Sequence, residues 1–187
     1  VKVNEELLNV YKEWTKEHPF DFGDGWGGEP WSQEEMPVDD ALAEKISNFC
    51  QTAIVIFGRT AGEENDNRFE KGAYLLSDGE ESMLRTVRKH FRKVIVLLNV
   101  GSIIDMNFVE DIKPDAVLYV WQGGMIGGTG TADVLTGKVS PSGKLPDTIA
   151  YSVSDYPSHE YFGNTRRNFY CCLLYTSDAA DEARSVD

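Results

Sequence analysis

An α/β fold, a three-layer sandwich whose mostly parallel sheet is covered by helices on both faces, is what this sequence predicts. Three observations carry that expectation. Ala53-Ile54-Val55-Ile56-Phe57, Val94-Ile95-Val96-Leu97-Leu98 and Ala116-Val117-Leu118-Tyr119-Val120 are unbroken apolar runs of strand length. Continuous runs suit strands buried on both faces, whereas half-buried strands alternate. Segments of helical period separate the runs, and strand–helix alternation of this kind gives right-handed crossovers and a doubly covered sheet.

The elements follow in order. Leu7, Leu8, Tyr11 and Trp14 recur at helical spacing over residues 4–17, and Pro19 ends that helix because it lacks a backbone donor. Asp21-Phe22-Gly23-Asp24-Gly25-Trp26-Gly27-Gly28-Glu29-Pro30-Trp31 is too rich in glycine and proline for regular structure. Asp39 or Asp40 can cap a second helix reaching about Asn48. Ser77-Asp78-Gly79-Glu80 is a capping box, and it opens a helix that places Met83, Leu84, Val87 and Phe91 on one face. Ile103 to Ile112 supplies a short helix, and Thr131 to Leu135 opens another after the third strand.

Composition bounds the function. The 187 residues are 41% hydrophobic and 26% charged, which is ordinary globular composition, and the net charge is −13. So acidic a chain lacks the basic face that nucleic acids and anionic membranes require. No apolar run approaches the ~20 residues of a membrane-spanning helix. The first residues carry no secretory signal, which points to the cytoplasm. Cys50, Cys171 and Cys172 make neither a disulfide framework nor a zinc site, and Cys50, following Phe49 at the end of an apolar-periodic segment, is expected to be buried. Residues 171–187 resemble the translation of a sequencing adapter and are expected to be foreign to the native chain, which then continues beyond them as a longer protein. Without these residues, which hold four acids and one base, the charge is still −10.

In open α/β sheets ligands bind outside the carboxyl ends of the strands. Here those ends lead into Gly58 to Arg68, Asn99 to Ser102 and Trp121 to Gly124. The first loop crowds Glu63, Glu64, Asp66 and Glu70 together. Repulsion and partial burial raise a carboxyl pKa toward the value a general acid needs, while Arg59 and Arg68 oppose the shift. A solvated acidic loop is the plainer alternative. The three histidines are scattered, and no carboxylate spacing matches a calcium loop. Gly123 to Gly130 lacks the Lys-Ser/Thr of a phosphate-binding loop.

Several of these segments, taken in order, resemble the second domain of family 3 glycoside hydrolases. They are Ala53 to Ile56 with Gly58-Arg59 and Ala61-Gly62-Glu63; Gly72 to Ser77; Lys93 to Gly101; Ile104-Asp105-Met106; Val120 to Gly123; and Ala132-Asp133-Val134-Leu135-Thr136-Gly137-Lys138-Val139-Ser140-Pro141-Ser142-Gly143-Lys144-Leu145-Pro146. The resemblance covers about residues 4–170, and Asp24 to Pro37 looks like a bacterial β-glucosidase-like subgroup. It implies a retaining β-glycosidase acting on non-reducing terminal β-linked sugars. The nucleophile then lies on a (β/α)8 barrel absent from this chain, and the α/β domain supplies the acid/base glutamate. Ala61-Gly62-Glu63-Glu64 matches the family's Ser-Gly-Glu-Gly string at Glu63, with Glu64 the second choice. The resemblance implies no cofactor or metal, and its partners are a carbohydrate and the barrel. Trp26 could stack on a sugar ring or merely anchor its loop. Met125-Ile126 depart from a Gln-Glu pair common in the family. The expected organisation is a helix and Gly/Trp-rich loop over 1–37, the α/β domain over 38–170 and the foreign tail over 171–187. A non-catalytic, flavodoxin-like module binding a small ligand at the same sheet edge is the competing class.

Overall fold

A computed structural model describes residues 4–60 and 66–162. They fall into two compact units divided at Ile149 and Ala150. In the first unit the order is α1 (Glu5–Glu17), α2 (Asp40–Ser47), β1 (Thr52–Gly58), α3 (Asp78–His90), β2 (Lys93–Asn99), α4 (Asn107–Asp111), β3 (Ala116–Tyr119) and α5 (Gly127–Leu135). The three strands form one parallel sheet in the order β1-β2-β3. Val55 is in register with Val96, Phe57 with Leu98, and Leu98 with Tyr119. The chain thus has the α/β architecture that its unbroken apolar runs predict.

One face of the sheet carries the core. Val55, Phe57, Val94, Val96 and Leu98 meet Ala43 and Ile46 of α2, Met83, Leu84 and Val87 of α3, and Phe108 of α4, all buried. Burying one such side chain stabilises the fold by about 1.5–3 kcal/mol. The second face is covered unevenly. Leu97, at the centre of the sheet, is 4% exposed, whereas Ile54 and Ile56 on β1 are 48% and 57% exposed. Beside β1 an open apolar groove of about 630 Å³ runs past Leu7, Tyr11, Leu42, Phe49 and Ile54. Among the described residues β1 is an outer strand, so its run is apolar on both sides yet buried on only one.

Local chemistry sets the helix ends. Asn4 Oδ1 accepts from Leu7 N to start α1, and Asp39 Oδ1 accepts from Leu42 N to start α2. The His18 ring stacks on Trp14 at 4.2 Å where α1 stops. The capping box at α3 is complete: Glu80 N donates to Ser77 Oγ, and Ser77 N donates to Glu80 Oε2. Two elements differ from expectation. Helix α4 spans only Asn107–Asp111, and α5 begins at Gly127, through glycines that read as a loop. Cys50 is exposed rather than buried, because it sits in the turn between α2 and β1, where its Sγ lies 3.3 Å from Thr52 O. In the second unit, the turns Val153–Asp155 and His159–Tyr161 are short 3-10 segments, the first closed by a Ser152–Asp155 capping box. Among the described residues no helix is long and apolar enough to cross a membrane.

Among the described residues the most heavily buried charges are Arg59 and Glu80, with side chains 1% and 0% exposed. Near them, burial and then the negative charge of Glu80 hold the Glu35 carboxyl above its usual range, and Arg59 opposes the shift. Two stability changes follow. Glu80→Ala leaves a buried guanidinium without its counter-charge, and it costs about 3–5 kcal/mol by urea unfolding at neutral pH. Glu35→Gln raises the thermal midpoint at pH 7. A carboxyl whose folded pKa is raised destabilises the fold only once it ionises, so this gain disappears on acidification below about pH 4.3.

Candidate active site

Parallel strands deliver their carboxyl ends to one edge, and the three exits here are tied together. Arg59 N donates to Asn99 O at 3.2 Å across the first and second exits, and Val120 N donates to Leu98 O at 3.0 Å across the second and third. Gln122 lies against both other exits. Its Nε2 reaches Arg59 O at 3.5 Å, and its side chain fills the space where a Cβ on Gly101 would stand. The phenol oxygen of Tyr119 accepts from Ile104 N at 3.1 Å, so β3 also steadies the loop after β2. Trp121, packed at 4.8 Å on Tyr119, has φ 54°, a left-handed conformation costly for a bulky residue, at the end of β3.

The loop leaving β1 is anchored on both sides of residues 61–65. Before them, Thr60 N donates to Trp31 O at 2.8 Å and Thr60 Oγ1 donates to Pro30 O at 2.6 Å. After them, Asn67 Nδ2 donates to Ser102 Oγ and Ile103 O at 3.2 and 2.9 Å. Asn67 Oδ1 is buried without a hydrogen-bond partner. Thr60 therefore joins the Gly/Trp-rich segment to the loop that holds the carboxylate cluster, two regions the sequence could nominate only separately.

The Gly/Trp-rich segment has a defined shape of its own. Gln33 bonds both the N–H and the carbonyl of Asp21, at 2.7 and 3.1 Å, and so closes the base of the loop. Gly23, at φ +63°, lies so near Gly28 that a Cβ would stand 1.9 Å from the Gly28 carbonyl oxygen. Only glycine fits both demands. Trp26 projects from this loop 73% exposed, so its ring is open to a ligand, whereas Trp31 is half-buried.

The guanidinium of Arg59 uses all five of its N–H donors. Nε bonds Ala73 O at 2.9 Å, Nη1 bonds Gly58 O at 2.8 Å and Glu80 Oε1 at 2.5 Å, and Nη2 bonds Leu75 O at 3.3 Å and Glu80 Oε2 at 2.8 Å. Its charge is paired inward, with Glu80. Beyond the second exit, burial pushes the Asp105 carboxyl up, against the bonds it accepts from Asn107. The His90 side chain is only 15% exposed, with Nε2 2.6 Å from Asp40 Oδ1.

Glu63 and Glu64, the acid/base candidates, lie outside the described residues. Of the other carboxylates in that cluster, Asp66 and Glu70 are exposed. Thr60, Asn67, Gln122 and Glu80 were not singled out for the site by sequence. Thr60, Asn67 and Gln122 lay in the strand-exit loops that the sequence nominates, and Glu80 in a capping box, which accounts for one of its two roles. Among the described residues no group of His, Cys, Asp and Glu is arranged to hold a metal ion.

The chain is similar over most of its length to known proteins. A β-glucosidase of Ruminococcus albus is 60% identical over 169 residues, 90% of this chain and 18% of that protein. The crystal structure of a β-glucosidase from Paenibacillus barengoltzii superposes with a TM-score of 0.83 at 49% identity, over 87% of this chain and 18% of that one. β-Glucosidase 3B from Thermotoga neapolitana, solved in complex with glucose, superposes with a TM-score of 0.75 at 32% identity, over 88% of this chain and 24% of that one. The chain thus spans less than a quarter of the length of each of these relatives. The profile of the glycosyl hydrolase family 3 C-terminal domain matches residues 5–180, and the chain belongs to that family.

Proposed function

We propose that this chain is the α/β part of a retaining β-glucosidase, with residues 38–170 forming the domain and Glu63 acting as general acid and then general base. The observation that carries the reading is the strand edge. The loop holding Glu63 runs between two anchored points, Thr60 and Asn67, at the carboxyl ends of a parallel sheet. Such an edge is where α/β sheets present chemistry. The relatives' names as β-glucosidases and the Ala61-Gly62-Glu63-Glu64 string support the same reading.

In this mechanism a carboxylate attacks the anomeric carbon while the Glu63 carboxyl protonates the departing glycosidic oxygen. The ionised Glu63 then takes a proton from water as that water breaks the glycosyl-enzyme. The two carboxyls of a retaining pair stand about 5–5.5 Å apart. The nucleophile belongs to a (β/α)8 barrel elsewhere in the full-length protein, so the residues of this chain alone turn over no substrate. Exposed Phe22, Trp26, Met125 and Ile126 leave apolar surface that a second domain could cover. Trp26 offers its ring to the C–H face of the sugar. A terminal β-linked glucoside is the substrate class.

Two experiments on the full-length enzyme test the reading. Glu63→Gln lowers kcat/KM for alkyl β-glucosides by about a hundredfold or more. It spares 2,4-dinitrophenyl β-glucoside, whose leaving group needs no proton, and equal loss on both substrates overturns the assignment. Trp26→Ala raises KM several-fold with little change in thermal midpoint. A lowered midpoint with unaltered KM makes Trp26 a loop anchor instead.

A further inference from the structure

Strand β1 is built for the interior of a sheet, yet it stands at an edge. Its seven residues, Thr52–Gly58, include no charge and no proline, and their register against β2 runs without a break. Outer strands of natural sheets are kept short or carry charges, prolines or bulges, because a long regular edge recruits further strands. β3, outermost on the other side among the described residues, has only four residues. Among the described residues β1 pairs with β2 alone, so alternate N–H and C=O groups of its backbone point outward.

The shape of the groove beside β1 says what fits it. Val55 is buried in the core, and Ile54 and Ile56 lie on the opposite face of the strand, yet all three line this one groove. Leu7 and Tyr11 of α1 and Met83 of α3 complete its apolar wall. The groove therefore straddles the strand's edge instead of lying over one face. A helix would cover one face and leave the outward backbone groups unpaired. A further strand pairs them and packs apolar side chains on both sides, as strands inside a parallel sheet do. The spatial order β1-β2-β3 repeats the chain order, and sequential strands are usually neighbours, so the strand beyond β1 is the one that precedes it. Asn4, the cap of α1, lies on the groove wall, so the chain enters α1 from this side. The chain is 18% of the length of its Ruminococcus albus relative, which leaves ample polypeptide outside it.

We propose that in the full-length protein an apolar strand preceding residue 1 of this chain fills the groove, pairs in parallel with β1 and buries Ile54 and Ile56. The inference shares with the proposed function only the premise of a longer polypeptide. It concerns the sheet and not the proton donor, so the kinetics of Glu63→Gln neither support nor weaken it.

Two measurements on the full-length protein test it. In hydrogen exchange of the wild type, consecutive amides from Ala53 to Phe57 exchange about a hundredfold or more slower than an unstructured peptide, as those of the central strand β2 do. Free exchange at alternate amides of β1 means an open edge and overturns the proposal. Phe49 lies on the groove wall and is 55% exposed. Phe49→benzoylphenylalanine places a photoreactive ring there during synthesis, so later burial does not block its introduction. Irradiation joins it to residues upstream of residue 1 in the same molecule. Links to a second copy, links to residues after 162, or no link at all overturn the proposal. If that variant does not fold, Cys50→benzoylphenylalanine, on the same wall and exposed, gives the same reading. Failure of both to fold leaves the decision to wild-type exchange, where protection of every β1 amide upholds the added strand.

Discussion

The buried pairing of Arg59 with Glu80 is the constraint on which the rest of this domain is arranged. Two opposite charges removed from water are tolerable only when every polar atom finds a partner. That requirement brings three backbone carbonyls, an α3 cap and a strand exit to one point. The apolar core could be repacked by many combinations of side chains. The pair does not tolerate loss of one partner, because a single missing bond leaves a buried donor or acceptor unsatisfied.

From that point the edge at the strands' carboxyl ends is built outward in tiers. The main chain of Arg59 links the first exit to the second and third. Thr60 carries the connection to Pro30 and Trp31, and Asn67 carries it to Ser102 and Ile103. Four stretches of chain that are remote in sequence therefore share one framework of hydrogen bonds. Loops placed in this way combine the reach of irregular backbone with the precision of the sheet beneath them.

Much of this was legible from residue order. Unbroken apolar runs located all three strands, and their parallel pairing followed from the helical segments between them. Ser77 and Glu80 announced α3 through a local rule that needs no tertiary context. What escaped was decided by partners distant in sequence. Arg59 and Glu80 read as a loop charge and a cap residue because no local pattern reports that they meet. Thr60 and Asn67 are ordinary polar residues until their acceptors, at Pro30 and Ile103, are known. Cys50 follows an apolar face, yet the turn carries it into solvent. The glycines at 127 and 128 read as a loop because glycine weakens a helix in isolation, whereas here they open α5.

The strands lie side by side in the order in which they occur along the chain, and that has a consequence for assembly. Each crossover closes onto its immediate predecessor, so contacts stay short-range in sequence and the sheet can grow strand by strand as the polypeptide is synthesised. All five side-chain bonds of Arg59 are made to residues between the end of β1 and the first turn of α3. Every partner of that guanidinium is therefore synthesised before β2, and the later strands are added after all of its bonding groups are present.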